Sequence, residues 1–167
     1  MHYDTFVSCD PGLSGALCVL SPMGVELFDI PTFKKKVGKR NKRIIDEEEL
    51  FIIINDIVDN APPDSTIAVI ENVHSSPQMG VTSAFSMGYG LGLVRSALQM
   101  RALKLESMTP QTWKKYFDLI GCDKSASIDK AKELYPEADI TLKKHDGRAE
   151  ALLMANWLLE TIDKPPH

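Results

Sequence analysis

Several features that mark whole classes of protein are absent from this sequence. It has three cysteines, scattered and without a Cys-x-x-Cys pair, so we expect reduced thiols in a cytoplasmic protein. No apolar run approaches the about 20 residues that a membrane-spanning helix needs. The first four residues lack the basic-then-apolar pattern of a signal peptide. No internal repeat or interdomain linker is visible, and 167 residues predict a single domain over residues 1–167.

The charge, by contrast, is strongly polarised within an ordinary globular composition. Seven of the ten residues at 34–43 are basic and none is acidic: Lys34, Lys35, Lys36, Lys39, Arg40, Lys42 and Arg43. Subtracting these seven charges from the net −4 leaves −11 on the remaining residues. The segment has no apolar periodicity and predicts an exposed basic loop. Such a loop favours contact with DNA phosphates, although a run of like charge can also be only a solvated surface.

The predicted elements follow the order of an α/β fold. Three antiparallel strands come first, then a helix, a buried central strand, a helix, another strand and closing helices. The predicted strands cover residues 6–9, 16–20, 24–30, 66–71 and 103–107, and the helices cover 46–60, 82–100, 110–117, 125–135 and 144–161. This order predicts an RNase H-like fold with a mixed central sheet flanked by helices. We expect the tail, residues 162–167, to be frayed.

Acidic residues stand where these elements end or begin. Asp10 follows the first strand and Glu71 ends the central strand. Because adjacent parallel strands end side by side, the two carboxylates can converge. Asp146 opens the last helix, and Glu150 lies one turn further on the same face. Such a cluster would favour Mg²⁺ or Mn²⁺, and two such ions can support phosphodiester hydrolysis.

Simpler explanations of the same acids remain open. The first strand-end acid could only cap its own Pro-Gly turn, and the second could point into solvent. Asp146 could be an ordinary helix cap, with Glu150 paired to Lys143 or Arg148. In each of these cases the carboxylates would serve the fold and no metal site would form.

Five motifs in order carry a resemblance to a known family. They are Asp10-Pro-Gly-Leu-Ser-Gly, Ile70-Glu71-Asn-Val, Gly80-Val-Thr-Ser-Ala-Phe-Ser-Met-Gly, Thr109-Pro-Gln-Thr-Trp-Lys-Lys and His145-Asp-Gly-Arg-Ala-Glu-Ala-Leu-Leu-Met-Ala. Over residues 5–160 the chain resembles the RuvC-type Holliday junction resolvases, in particular their phage and prophage branch. The resemblance implies a homodimer with an RNase H-like fold. It also implies symmetric nicking of two strands of a four-way DNA junction with Mg²⁺ or Mn²⁺, leaving ligatable ends.

Residue by residue, the resemblance assigns the catalytic and metal-binding acids as Asp10, Glu71, Asp146 and Glu150. One departure from the family pattern lies in the last helix. In the cellular enzymes the two helix acids are three residues apart, and one can be a histidine. Here they are four apart and Gly147 stands three before Glu150. Either Asp146 swings in from the first turn or one of the pair is not a direct ligand.

Further candidates accompany the acids. The family keeps lysines that hold the scissile phosphate, which makes Lys124 a catalytic candidate and Lys114 and Lys115 DNA-binding candidates. The alternative for each is an ordinary solvated lysine. His145 is a weaker candidate ligand, since it lies about 100° around the helix from the acid that follows it. A lone histidine there could equally be a surface residue or support a ligand indirectly.

The loop at residues 72–81 follows the second strand-end acid directly. In the family this region reaches into the junction centre and can wedge an apolar side chain there. The candidates here are Val73, His74 and Met79. The following helix carries Gly88, Gly90 and Gly92, which indicates close helix packing, as at a dimer interface, rather than nucleotide binding.

Three other functions remain as alternatives to junction resolution. The chain could cut other branched DNAs, or it could bind junctions without cutting them, although all four acids are present. An actin-like phosphotransferase also uses an acidic turn in its first hairpin. That class requires two related halves, and a second phosphate loop is absent from this sequence.

Overall fold

A computed structural model of the chain describes residues 2–101 and 103–162. Its strands in these residues are Thr5–Cys9 (β1), Ala16–Ser21 (β2), Gly24–Asp29 (β3), Thr32–Val37 (β4), Arg40–Ile45 (β5), Thr66–Glu71 (β6) and Lys104–Met108 (β7). Its α-helices there are Glu47–Asn60 (α1), Val81–Met100 (α2), Pro110–Tyr116 (α3), Lys124–Leu134 (α4) and Asp146–Thr161 (α5). The predicted order of elements is therefore confirmed, with one addition at β4 and β5.

The central sheet has five strands in the order β3-β2-β1-β6-β7. The first three strands pair antiparallel, whereas β6 runs parallel to β1 and β7 runs parallel to β6. This is the mixed sheet that the order of elements predicts. It brings the carboxyl ends of β1 and β6 to the same edge, which positions the site described below.

Both faces of the sheet are covered by helices. Along β6, Ile67 and Val69 pack into a core with α3, α4 and α5, while Ala68 and Ile70 pack into a second core with α1 and α2. Side chains of a strand alternate between its two faces, so a nearly continuous apolar run is what a doubly covered strand requires. All of β6 is buried, as its sequence predicts.

Helix α1 shows how the sequence sets the start of an element. The Asp46 carboxylate accepts a hydrogen bond of 3.2 Å from the backbone N–H of Glu49, so it is the predicted N-cap. Three glutamates occupy the first turn, where they complement the helix dipole. The buried stripe of α1, with Leu50 and Ile54 at its centre, packs on the sheet.

The prediction of a basic loop at residues 34–43 is wrong. The segment forms a β-hairpin, in which β4 and β5 pair antiparallel as a separate two-stranded sheet. Gly38, with φ of 61°, makes the turn, and Asn41 pairs opposite Lys36 rather than breaking the strand. The sequence does not predict these strands, because cations lie on both faces and the polar-apolar alternation typical of a strand is missing.

The remaining structural expectations concern thiols, tail and membrane spans. Cys9 and Cys18 are buried in β1 and β2, Cys122 is exposed, and all three are free. Of the predicted frayed tail only Ile162 is described, as the residue that ends α5, and the rest lies outside the described residues. Within residues 2–101 and 103–162, no helix has both the length and the apolar character that crossing a membrane requires.

Candidate active site

The two strand-end acids lie at the same edge and on the same face of the sheet. Cys9 pairs with Ile70 in the parallel ladder. Asp10 and Glu71 are the next residues along these two adjacent strands, so they lie side by side. Alternation along each strand turns both acids toward the face that α3 and α5 cover. On that face the Ser8 hydroxyl donates a buried hydrogen bond of 2.5 Å to the carbonyl oxygen of Ala151, which fixes α5 against β1.

Asp10 is held by the turn that follows it. Its Oδ1 accepts a hydrogen bond of 3.1 Å from the backbone N–H of Gly12. A Cβ on Gly15 would lie 2.1 Å from the carbonyl oxygen of Asp10, so only glycine allows the turn to close this tightly. Burial raises the pKa of Asp10, as does the nearby charge of Asp146, while the Gly12 hydrogen bond opposes the shift. The acid therefore caps its turn, as the simpler explanation has it, and also faces a second carboxylate.

Glu71 is the most buried acid of the group, with 7% of its surface exposed. The indole N–H of Trp113 donates a hydrogen bond of 2.9 Å to its Oε1. Burial, together with the nearby charges of Asp10 and Glu150, raises the pKa of Glu71 to about 7 despite the lowering effect of the indole hydrogen bond. The alternative of a solvent-exposed strand-end acid is therefore ruled out.

Gly147 allows the start of α5 to pack against this edge of the sheet. A Cβ on Gly147 would lie 2.2 Å from the carbonyl oxygen of Ser14, so the helix backbone packs directly on the β1–β2 turn. The contact places Asp146 and Glu150, on either side of Gly147, at the acidic edge. Asp146 is the first residue of α5 rather than its cap, which is His145. Gly147 therefore lies between the two acids because the packing of α5 on the β1–β2 turn requires a glycine there.

Two lysines contact the helix acids. The Lys124 ammonium donates a hydrogen bond to Asp146, and the Lys114 ammonium lies 3.5 Å from Glu150. Lys124 remains 78% exposed at its side chain, whereas Lys114 lies over the ring of Trp113, 5.0 Å from its centroid. Glu150 therefore pairs with Lys114 and not with its sequence neighbours. Arg148 instead binds Asp29 and Asp139.

The four carboxylates act on one another electrostatically. Burial raises the pKa of Glu150, and the charge of Asp10 adds to the effect, while Lys114 and Lys124 lower it. Asp10 likewise responds to Asp146, and Glu71 to both Asp10 and Glu150. Burial is the main cause of these raised pKa values, and the neighbouring carboxylates add to it. Four carboxylates beside two lysines also leave a surplus of negative charge at this edge.

The donor set matches a hard divalent cation in chemical type. All four acids supply oxygen, the ligand that Mg²⁺ and Mn²⁺ prefer, and their surplus charge is what such a cation would neutralise. Among residues 2–101 and 103–162, however, no three His, Cys, Asp or Glu side chains are grouped closely enough to hold a metal ion. Asp146 and Glu150 are turned to lysines instead. Metal binding by these acids therefore stays a prediction, with residues suited to it.

His145 is not on the acidic side of the helix. It is buried, and its Nδ1 has no hydrogen-bond partner among the described residues. As the N-cap of α5 it precedes Asp146 and lies about 100° around the helix from it. This position favours a supporting role in seating α5 over direct ligation.

The other predicted residues lie around this edge. Lys115 is exposed on α3, and Val73, His74 and Met79 lie in the loop between β6 and α2. The hairpin is tied to the site by Arg43, whose guanidinium donates a hydrogen bond of 2.5 Å to the Ser14 hydroxyl. A cleft of about 530 Å³ separates the hairpin base from α2, lined by residues 11–14, Lys42, Arg43, Ile45, Met79, Thr82, Ser83, Ser86 and Met87.

Sequence reasoning missed three residues that shape the site. Trp113 belongs to the motif that begins at Thr109, but the sequence predicted no role for it. Its indole N–H is a donor that a buried acid can use. Gly147 was noticed only as a break in the acid spacing. Ser14 and its contact with the hairpin left no signal, because the partner lies 29 positions away.

Comparison with known proteins identifies the fold. Scans against protein-family models and curated proteins find no match. Among solved structures, T. thermophilus RuvC in complex with Holliday junction substrate superposes with a TM-score of 0.61 at 10% identity, covering 95% of this chain and 96% of that one. A second structure, Thermus thermophilus RuvC, superposes with a TM-score of 0.57 at 12% identity, covering 93% and 95%.

These likenesses span nearly the whole of both chains. The protein therefore has an RNase H-like fold of the kind that the element order predicts. More narrowly, it has the fold of RuvC, which confirms the architecture implied by the resemblance. At this level of identity the comparison establishes the fold alone, and function must be argued from the site.

Proposed function

We propose that this chain is a metal-dependent, structure-selective DNA endonuclease that resolves four-way junctions, as a phage-type member of the RuvC resolvases. One observation carries the proposal: Asp10, Glu71, Asp146 and Glu150 lie near enough to influence one another electrostatically at one sheet edge, with Lys124 bound to Asp146 and Lys114 beside Glu150. The RuvC fold supports it, since one structure of that fold is a complex with Holliday junction substrate.

The acids and the lysines have different roles in this proposal, metal binding for the acids and phosphate contact for Lys124. Asp10, Glu71, Asp146 and Glu150 would hold Mg²⁺ or Mn²⁺, which when bound supplies Lewis-acid stabilisation and an activated water for phosphodiester hydrolysis. Trp113 donates to one oxygen of Glu71, which restricts the carboxylate and leaves its other oxygen for a cation. Lys124 is exposed enough to exchange Asp146 for a scissile phosphate and to offset the negative charge that builds on it.

The resemblance to RuvC-type resolvases implies in-line attack on phosphorus with the 3′-oxygen as the leaving group. Water forms the new P–O bond while the bond to the 3′-oxygen breaks, and a proton returns to that oxygen. The nick then carries a 5′-phosphate and a 3′-hydroxyl, which a ligase can join. This outcome suits an enzyme that separates recombining duplexes without leaving damage.

Paired cuts need two such sites, which a homodimer would provide. Helix α2 offers a surface for it: Val81, Phe85 and Tyr89 are 86%, 73% and 47% exposed. A Cβ on Gly88 or Gly92 would meet nothing within 4 Å, so these glycines have no packing partner among the described residues. A second copy of α2 packed closely against this helix would cover the exposed side chains and fit against the glycines.

A cleavage assay on a synthetic four-way junction tests the proposal. The wild type with Mg²⁺ should introduce paired nicks, and Asp10→Asn should abolish them while junction binding persists. Asp64→Asn, in the short 3₁₀ turn Pro63–Ser65, is the matched control and should cut normally. A wild type that binds junctions but never nicks them overturns the enzyme assignment. Equal cutting of forks and flaps would instead make it a general branched-DNA nuclease.

A further inference from the structure

The β4–β5 hairpin carries positive charge on both of its faces. Cross-strand partners share a face, and Lys34 stands opposite Arg43 while Lys35 stands opposite Lys42. Three cations therefore project on each side: Lys34, Lys36 and Arg43 on one, and Lys35, Arg40 and Lys42 on the other. All six residues are exposed.

This arrangement works against the stability of the hairpin itself. Like charges directly opposite one another destabilise a strand pair. No ion pair within residues 2–101 and 103–162 involves a hairpin cation, so these residues do not relieve the repulsion. A two-stranded sheet alone is also only marginally stable. The charges are therefore suited to a polyanion that meets the hairpin from outside.

The base of the hairpin is fixed to the site. The backbone N–H of Asp46 donates a hydrogen bond of 2.9 Å to the carbonyl of Pro31, which closes the base, and Ile45 is buried in the core. Arg43 binds Ser14, four residues after Asp10. Whatever the hairpin binds is therefore held in a defined position relative to the carboxylates.

The dimensions decide how DNA would meet this element. Six residues per strand give a ribbon of about 20 Å. The major groove, about 12 Å wide, admits a two-stranded β-ribbon, whereas the minor groove, about 6 Å wide, does not. A ribbon lying flat on a duplex would use the cations of one face only. A ribbon inside the groove meets a wall of phosphates on each side.

We propose that the β4–β5 hairpin enters the major groove of a duplex arm and contacts phosphates with both faces. This inference rests on the proposed function, because it takes branched DNA as the substrate. It assigns the hairpin a positioning role, in which the groove sets the distance from a duplex arm to Asp10. Contacts of this kind fix register and carry no sequence information.

Two matched double variants test it, each removing two charges from one face. They are K34Q/K36Q and K35Q/K42Q, and Arg43 is left in place because it holds Ser14. For an inserted ribbon, each variant should weaken junction binding roughly 10- to 100-fold at 0.1 M salt. Each should also reduce the slope of log affinity against log salt by about 2. A loss confined to one variant means that the ribbon lies flat, and overturns the proposal.

Chemical footprinting gives a second readout. Dimethyl sulphate methylates guanine N7 in the major groove and adenine N3 in the minor groove. The wild type should protect N7 on one arm, with adenine N3 on that arm unprotected, and both double variants should lose the protection. A wild type that cuts junctions without N7 protection overturns the ribbon proposal alone. A wild type that binds no junction overturns the proposed function with it.

Discussion

The indole N–H of Trp113 donates a hydrogen bond of 2.9 Å to Oε1 of Glu71, joining α3 to the end of the central strand. Both side chains are buried, Trp113 completely. A carboxylate that lies in the core needs donors to offset its lost hydration, and the indole is the donor here. The contact fixes one oxygen of the acid, whose pKa also responds to the charges of Asp10 and Glu150.

Replacing Trp113 with Phe removes the donor and keeps an aromatic ring. Outer hydrogen-bond partners of metal ligands typically contribute 10- to 100-fold to metal affinity. We therefore expect W113F to bind Mn²⁺ about 10- to 100-fold more weakly, measured by isothermal titration calorimetry without DNA. Trp157→Phe makes the same change on α5, where the ring packs partly against the core, and should leave Mn²⁺ affinity unaltered. Equal affinities for the two variants would contradict the positioning role.

The raised pKa of Glu71 makes the metal-free protein sensitive to pH. Because the folded pKa is about 7 against 4.5 for the free side chain, the folded state binds the proton more tightly. The stabilisation is complete below pH 4.5 and is lost as pH rises through 7. The loss at pH 8 is on the order of 3 kcal/mol at most. Glu71→Gln is neutral throughout and can still accept from Trp113, so it escapes the loss.

Thermal melts in a chelating buffer check this expectation. The melting temperature of E71Q should exceed that of the wild type by several degrees at pH 8, and the difference should vanish near pH 4.5. Glu48→Gln, on the exposed side of α1, controls for loss of one negative charge. An E71Q melting temperature that differs from wild type equally at both pH values would show that the buried charge is not the cause.

The sequence predicted the parts of the site that depend on local pattern. Asp10 and Glu71 could be found because each ends a recognisable strand, and parallel pairing of the strands follows from the element order. Asp146 and Glu150 could be proposed from their spacing on one helix face, and the resemblance assigned them the same role, although an acid pair at a helix start is also an ordinary feature. Their place at the same edge depends on how α5 packs, which no local pattern encodes.

Long-range packing accounts for what the sequence left hidden. Gly147 is required by the backbone of Ser14, and Trp113 reaches Glu71 across 42 positions. The hairpin was missed for the opposite reason, because its local pattern was misleading. Strand recognition relies on one apolar face, and a ribbon with cations on both faces has none.

Lys124 and Lys115 offer a matched pair for testing phosphate contact. Lys124 reaches Asp146 from the start of α4, whereas Lys115 is exposed on α3 and contacts none of the four acids through a hydrogen bond or ion pair. Loss of a positive charge that acts in the transition state typically lowers the rate by about 100-fold or more. In single-turnover assays K124A should cut at least about 100 times more slowly with nearly unchanged junction affinity. K115A should cut at close to the wild-type rate, and equal slowing of both would assign the lysines to general DNA binding.

Gly147 controls whether α5 can reach the site at all. Alanine there would place its Cβ 2.2 Å from the Ser14 carbonyl oxygen, and the atoms that it would meet in Ser14 and Gly15 are backbone, so the helix and the β1–β2 turn must separate. Overpacking of this kind costs about 1–3 kcal/mol, or more where the backbone cannot yield. We expect G147A to lower the melting temperature by several degrees and to reduce junction cleavage, because Asp146 and Glu150 move away from Asp10.

The helical glycine Gly92 supplies the control for this change. Its Cβ would meet nothing within 4 Å, and alanine is favoured over glycine in a helix by up to about 1 kcal/mol. At protein concentrations low enough to keep the chain monomeric, G92A should therefore raise the melting temperature slightly, while G147A lowers it, as differential scanning fluorimetry can measure. The opposite sign at two helical glycines isolates the contact with Ser14 from the general effect of the substitution. A G147A protein as stable as the wild type would mean that α5 does not pack on the β1–β2 turn. The structural reason for placing Asp146 and Glu150 beside Asp10 would then be lost.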